Sequence, residues 1–306
     1  MYTKNYNTTK YKSQVTKILH KAKIKKEYNQ DVISWLISQN ETEKALKISH
    51  CASYIGITDI QGIAKVVKAD FCRERICHVC AWRRQSKFVA QMLPVIEHLQ
   101  LRGYDFLFAT LTLKNVPYEA LEKTIDLLMK GYHKLHRKTK IKRSWEGITR
   151  SLELTYNEET DTFHPHIHLL IAVKQEYFKN PDLYISQEEL CQTWKDILNL
   201  DYMPLCDIRK VNDTGEAAVE TLKYALKPSK NEKALSAFYN ILKGRRLVSF
   251  TGVFAQMRKA LKLSTIDDLE DDIPQEIKQT RTTFTLYKFD VTGGVYSYYK
   301  DLEMIL

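Results

Sequence analysis

Three segments of the chain carry histidine, cysteine or tyrosine at spacings that suit a particular chemistry. The first, FHPHIHLLIAV (163–173), places His164, His166 and His168 at alternate positions. Because successive side chains of a strand point to opposite faces, the three imidazoles share one face and the intervening apolar side chains share the other. Imidazoles two residues apart converge on one cation and leave coordination positions for substrate oxygens. The segment therefore predicts a catalytic metal site.

A third ligand for this site is expected on the preceding strand, SLELTY (151–156), which the turn-rich NEETDT joins to the histidine strand. If the turn centres on residues 159 and 160, Glu153 lies opposite His166. A register shifted by one residue would turn Glu153 to the other face, so His164 is the alternative ligand.

The second segment contains three cysteines, in the spacing Cys72-x4-Cys77-x2-Cys80. A Cys-x2-Cys pair is the usual way to present two thiolates to one zinc ion, and Cys51 is the natural fourth ligand. His50 and His78 are the alternatives to Cys51. Buried cysteines without metal are the competing interpretation, but the charged neighbours in CRERICH are not core residues. Four protein ligands close a site, which predicts a structural Zn²⁺.

Basic residues follow the cysteines directly, at Arg83, Arg84 and Lys87. We expect the zinc site to hold these side chains against DNA phosphates. The two remaining cysteines, Cys191 and Cys206, stand apart in periodic segments and are expected to be ordinary buried residues.

The third segment is VETLKYALK (219–227), in which Glu220 and Tyr224 stand four residues apart and therefore project from one side of a helix. A phenol has a pKa of about 10 and is a poor nucleophile at neutral pH unless cations lie nearby. Lys223 and Lys227 are candidate DNA contacts here. By itself, the motif is more typical of a tyrosine packed beside a Glu–Lys pair on a solvated face.

The composition predicts a globular protein, and its net charge by itself is weak evidence for nucleic-acid binding. Hydrophobic residues make up 44% of the 306 residues, and 47 Lys+Arg against 37 Asp+Glu give a net charge of +10, which favours an anionic partner. Residues 1–26 hold eight lysines and no acid, which predicts a mobile basic arm that either binds anions or aids solubility. The chain shows no membrane span or signal peptide, so a cytoplasmic location is expected.

The pattern of strands and helices predicts an α+β fold with a central antiparallel sheet, preceded by a small zinc-binding region. Strands are predicted at 104–113, 151–156, 163–173, 205–211 and 247–254, with helices at 31–48, 81–100, 121–138, 186–198 and 217–227. The predicted domains are an arm and helix (1–48), a cysteine region (49–98), a nuclease domain (99–262) and an acidic connector with a β-rich tail (263–306).

The three segments together resemble a known family. CRERICHVCAWRR, FATLTL, LELTYNEETDTFHPHIHLLIAV and ETLKYALK, in this order, resemble the rolling-circle replication initiators of small Gram-positive plasmids, within the histidine-hydrophobe-histidine (HUH) endonuclease superfamily. The resemblance covers roughly residues 49–262 and includes WKDILNLDYMPLCDIRKV and KGRRLVSFTGVF. It implies a central antiparallel sheet with the histidines on a middle strand and the tyrosine on a facing helix.

The resemblance also implies roles for individual residues. His166 and His168 would hold Mg²⁺ or Mn²⁺, Tyr224 would attack the scissile phosphate, and Glu220 would activate water at termination. The implied partners are double- and single-stranded origin DNA, with host helicase and DNA polymerase. The oligomeric state stays open, a dimer included.

Two other functions fit parts of the sequence. A non-catalytic, zinc-dependent DNA-binding regulator would explain the charge and the cysteines, but not the histidine strand facing a glutamate. A related relaxase or transposase would use the same active site for transfer or mobilisation, although the chain's small size, cysteine region and water-activating glutamate argue against it.

Overall fold

The protein consists of two compact units, described here from a computed structural model that covers residues 9–211, 231–271 and 281–305. The first unit contains 9–87, 264–271 and 281–305, and the second contains 88–211 and 231–263. The division between them falls at 87/88, inside a helix, rather than at the predicted 98/99 boundary. The predicted tail is also not separate, because its strands belong to the first unit.

The first unit is built around a four-stranded antiparallel sheet. Its elements are α1 (Thr9–Ser38), α2 (Thr42–His50), β1 (Tyr54–Ile60), β2 (Ile63–Ala69), the first ten residues of α3 (His78–Leu101), β8 (Arg281–Asp290) and β9 (Val295–Ile305). The strand order is β2-β1-β8-β9, so the carboxy-terminal hairpin extends the sheet of the amino-terminal hairpin. The sequence pattern did not predict β1 and β2, which lie inside the expected cysteine region.

The prediction of a mobile basic arm is wrong from Thr9 onwards, because that part of the chain forms the first half of α1. Tyr11, Val15 and Ala22 are buried along one side of this helix. Three or four residues separate neighbours on a helix face, so this spacing forms an apolar stripe that the abundance of lysines concealed. The lysine Lys26 is itself buried and donates a hydrogen bond to the carbonyl oxygen of Cys51 at 2.6 Å.

The second unit contains a five-stranded antiparallel sheet. Its elements are the remainder of α3, β3 (Tyr104–Thr112), α4 (Tyr118–His136), α5 (Thr139–Ser144), β4 (Gly147–Asn157), β5 (Thr162–Lys174), α6 (Gln187–Leu198), β6 (Cys206–Lys210), α7 (Glu232–Ser236), β7 (Val248–Phe250) and α8 (Gly252–Ala260). The strand order is β6-β3-β5-β4-β7, which places the histidine strand β5 in the middle. The predicted α+β class is confirmed.

One face of this sheet packs on α4 and α6. The apolar side chains of β5, Ile167, Leu169 and Ile171, are fully buried in a cluster with Leu128 of α4 and Trp194 of α6. The opposite face of β5 presents His166 and His168. Because both neighbours of β5 are long strands, the backbone that carries the histidines is fixed on both sides.

The segment predicted as one strand at 247–254 divides into β7 and α8. Gly252 begins α8 with a φ of +54°, and a Cβ atom there would lie 2.0 Å from the carbonyl oxygen of Glu146. Only glycine tolerates both this conformation and this close approach. Gly252 therefore ends the strand and allows the helix to start beside β4.

Candidate metal centres and active site

The first candidate centre lies on the histidine face of the β4–β5 hairpin. Glu153 pairs with His166 across the ladder, which confirms the predicted register. The Nε2 atoms of His166 and His168 lie 3.4 Å and 3.0 Å from Oε2 of Glu153. The three ligand atoms all lie within 4.8 Å of one another, so the group can hold one metal ion.

Hydrogen bonds fix both imidazole rings through their other nitrogen. Nδ1 of His166 lies 3.1 Å from the carbonyl oxygen of His164, which makes this nitrogen the donor. Nδ1 of His168 lies 3.1 Å from the hydroxyl of Thr110 on β3. Metal-binding histidines are normally oriented in this way through one ring nitrogen, and the other, Nε2, faces Glu153 in both rings. Two imidazoles and a carboxylate can together hold one divalent metal ion, and Mg²⁺ or Mn²⁺ as that ion stays a prediction.

The carboxylate of Glu153 is the charged member of the group. Burial by itself raises its pKa, but hydrogen bonds from His166 and His168 outweigh burial and hold the pKa well below the usual range. The side chain is therefore an anion at neutral pH. A buried anion between two imidazoles is an environment that attracts a cation.

His164, the alternative third ligand, does not belong to this group. Its ring lies 5.0 Å from that of His166, and its Nε2 is buried without a hydrogen-bond partner among the described residues. The structure brings Glu153, rather than His164, to the two histidines.

We expect Thr110→Val to weaken metal binding by about ten- to a hundredfold, because His168 would lose the hydroxyl that orients its ring. The affinity for Mn²⁺ can be measured by isothermal titration calorimetry. Thr112→Val is the matched control, since the Thr112 hydroxyl bonds to the carbonyl oxygen of Leu205 instead. Equal affinities for the wild type and Thr110→Val would show that the hydroxyl does not support the site.

The second candidate centre is the predicted cysteine cluster. Cys51 follows α2, Cys72 follows β2, and Cys77 and Cys80 lie at the start of α3. All four Sγ atoms lie within 4.8 Å of one another. The distance from the Cys80 sulfur is 3.5 Å to Cys51 and 3.6 Å to Cys72. Tetrahedral zinc with Zn–S bonds of 2.3 Å separates its sulfurs by about 3.8 Å, so the cluster fits this ion.

Groups around the cysteines support thiolate ligands. The amide of Asn29 donates to the Cys77 sulfur at 3.3 Å, and the buried ammonium of Lys26 lies beside Cys51. The two alternative ligands, His50 and His78, are not members of the cluster. His50 is exposed. His78 is buried, and this burial lowers the pKa of its imidazole to about 4. Cys206 is buried and Cys191 half-buried.

The basic side chains after the cluster are not on the surface. Arg83, Arg84 and Lys87 are 3%, 3% and 2% exposed. Their partners lie in the acidic segment 267–271: Arg83 bonds to Asp271 at 3.1 Å and Arg84 to Asp267 at 2.9 Å. Buried cations with carboxylate and carbonyl partners do not present charge to phosphates. The prediction that these three residues contact DNA is therefore wrong for this conformation.

The segment that the sequence predicts as a helix at 217–227 lies outside the described residues. This applies to Glu220, Lys223, Tyr224 and Lys227, whose roles stay predictions.

Thr110 is a site residue that the sequence pattern did not predict. The signal for it was available, because Thr110 and Thr112 alternate along FATLTL as the histidines do along their strand.

A comparison with protein families identifies the chain. The model of the Rep_1 family, described as "Replication protein", matches residues 63–297 and so covers most of the chain. The chain belongs to the Rep_1 family of replication proteins. The resemblance to rolling-circle replication initiators of Gram-positive plasmids is confirmed, and this Rep_1 protein is a plasmid replication initiator.

Curated relatives of this Rep_1 protein share sequence along much of their length. A "Protein rep" of Streptococcus pneumoniae serotype 2 (strain D39 / NCTC 7466) is 39% identical over 219 residues, which are 68% of this chain and 68% of the relative. A "Protein rep" of a Bacillus species is 34% identical over 258 residues, covering 74% of this chain and 83% of the relative. No solved structure matches this Rep_1 protein.

Within the described ranges, no helix has the length and apolar character needed to cross a membrane.

Proposed function

We propose that this Rep_1 protein initiates rolling-circle replication by nicking one strand of its plasmid's double-strand origin, with Tyr224 as the nucleophile. The buried group of Glu153, His166 and His168 carries this proposal, because a regulator that only binds DNA has no need of it. When bound there, Mg²⁺ or Mn²⁺ supplies positive charge to the non-bridging oxygens of the scissile phosphate. The histidines on the middle strand of an antiparallel sheet support an HUH endonuclease fold.

The proposed reaction is a transesterification. The phenol oxygen of Tyr224 forms a bond to phosphorus, and the bond from phosphorus to the 3′ oxygen breaks. The 3′ oxygen takes up a proton and becomes the free 3′-hydroxyl that primes the host DNA polymerase, while the protein keeps a 5′-phosphotyrosine. Because a phenol ionises at a pKa of about 10, positive charge nearby is required, and Lys227, which would share one side of the predicted helix with Tyr224, is the candidate to supply it.

Glu220 serves as the general base at termination, when a water molecule cleaves the regenerated site without a second tyrosine. We expect Glu220→Ala to spare the first nick and to impair termination, so that rounds of replication continue past one plasmid length. The measurement is a plasmid replication assay resolved by gel for multimeric single strands. Loss of the first nick in this variant would mean that Glu220 has another role.

The remaining features extend the same proposal. The cysteine cluster holds Zn²⁺ as a structural ion, and the protein binds double- and single-stranded origin DNA in the cytoplasm. Host helicase and DNA polymerase are its expected partners.

The experiment that tests this proposal is a nicking assay on an oligonucleotide with the origin sequence, at a series of Mn²⁺ concentrations. Loss of one imidazole ligand weakens charge stabilisation, so we expect His166→Ala to lower the nicking rate at least about a hundredfold. His98→Ala, at an exposed position of the second unit, is the matched control. Origin binding with no cleavage at any Mn²⁺ concentration would favour the regulator, and strand transfer without origin replication would favour a relaxase or transposase.

A further inference from the structure

A pocket on the other face of the second unit's sheet has no assigned role. Its volume is about 490 Å³, and it lies between α4, β4 and β7. Its polar lining includes Tyr132, His136, Arg150, Arg246 and Ser249. Arg150 shares its face of β4 with the core residue Leu152, whereas Glu153 points to the opposite face. The pocket is therefore separate from the candidate metal centre.

Arg150 places a buried positive charge at this pocket, and no carboxylate of the described residues forms an ion pair with it. The side chain is 2% exposed, and its hydrogen-bond partners are the Ser249 hydroxyl, the Met129 sulfur and the carbonyl oxygen of Arg246. These three acceptors are neutral, and a guanidinium has five N–H donors. A buried charge of this kind is costly unless an anion joins it.

The Tyr132 hydroxyl is a second unused donor. Tyr132 is 4% exposed, and its oxygen is buried with no hydrogen-bond partner in the part of the chain that the structure describes. The guanidinium carbon of Arg150 lies 5.6 Å from the centre of the same ring. Buried hydroxyls normally find a partner, so an orphaned one beside a buried cation indicates a missing acceptor.

The chain segment that carries the pocket's α4 residues is basic. Residues 127–145 contain seven lysines and arginines and no acid, and one of the seven, Lys140, is paired with Glu189. The exposed Arg246 adds a further charge at the pocket itself, while Arg245 bonds to Asp126 and so is already compensated. Such a field attracts polyanions.

We propose that this pocket binds a phosphate group, either a backbone phosphate of a DNA strand or a free phosphate ester. Arg150 is the buried anchor, the Tyr132 hydroxyl donates a hydrogen bond, and Arg246 contacts the phosphate from the surface. The opposite face of the sheet holds the candidate metal centre, so this phosphate differs from the scissile one. The proposal that the phosphate belongs to DNA rests on the proposed function, whereas the proposal that the pocket binds a phosphate group does not.

Binding of inorganic pyrophosphate to the full-length protein tests the pocket, in buffer without added Mg²⁺ or Mn²⁺. Arg150 is a poor target, because its replacement would also break three internal hydrogen bonds. Tyr132→Phe with Arg246→Ala removes two donors that make no such bonds. We expect this double variant to bind pyrophosphate about tenfold more weakly than the wild type by calorimetry. Tyr184→Phe with Arg102→Ala, both at exposed positions of the second unit, is the matched control.

The salt dependence of origin binding distinguishes the two phosphate sources. If the pocket holds a DNA phosphate, the slope of log K against log salt falls by about one in the double variant relative to the control. If the ligand is a free ester, pyrophosphate binding weakens while this slope stays the same. Equal pyrophosphate affinity in the wild type and the double variant overturns the proposal. A wild-type protein that binds pyrophosphate but does not nick the origin oligonucleotide would count against the proposed function alone.

Discussion

Tyr224→Phe is expected to abolish the covalent protein–DNA adduct completely while leaving origin binding at the wild-type affinity. Phenylalanine keeps the aromatic ring but has no oxygen to bond to phosphorus, and the proposed mechanism has one nucleophile that forms an adduct. Adducts are counted as slowly migrating bands on a denaturing gel with an end-labelled oligonucleotide. Origin affinity is measured by fluorescence anisotropy.

The control for this prediction is another tyrosine, since the chain contains 18 of them. Tyr184→Phe changes an exposed tyrosine of the second unit and should leave adduct formation unaltered. Adducts that persist in Tyr224→Phe would show that a different residue attacks the phosphate. Loss of origin binding in the same variant would show that Tyr224 acts in recognition.

If the cysteine cluster holds Zn²⁺ as proposed, Cys80→Ser is expected to release the ion and to unfold the first unit. Cys80 lies within 3.6 Å of two other cysteine sulfurs, and the four ligands join the ends of α2 and β2 to the start of α3. Structural zinc contributes about 10–16 kcal/mol in small zinc-binding peptides, which is comparable to the whole stability of a typical domain. We therefore expect a destabilisation of about 5 kcal/mol or more in the larger first unit.

Zinc content by mass spectrometry and thermal unfolding by circular dichroism measure both effects. Cys191→Ser is the matched control, because Cys191 is a half-buried cysteine outside the cluster. It should retain zinc and an unchanged melting temperature. A Cys80→Ser protein with its full zinc content and normal melting would contradict the assignment of the cluster.

The sequence predicted the two groups of side chains that could hold metal ions, because local rules bring their members together. The alternation of FHPHIHLLIAV placed two histidines on one face, and the short turn after Asn157 fixed Glu153 opposite His166. The cysteine spacing predicted the cluster for a similar reason, since Cys-x2-Cys is a local geometry.

Features that depend on distant parts of the chain escaped prediction. The pairing of β8 with β1 joins residues more than two hundred positions apart, and no sequence period reveals it. The same holds for Arg83, whose partner Asp271 lies 188 residues away. Basic residues beside a zinc site are typical DNA contacts, and only the folded chain shows that an acidic segment covers them.

The most direct test of the proposed mechanism uses the wild-type protein and a single-stranded oligonucleotide that carries the plasmid's nick site. The reaction is run with Mn²⁺ or with EDTA, and a denaturing gel and peptide mass mapping follow. We predict an adduct that requires Mn²⁺ and maps to Tyr224. Cleavage without an adduct, or an adduct on another tyrosine, would contradict the mechanism.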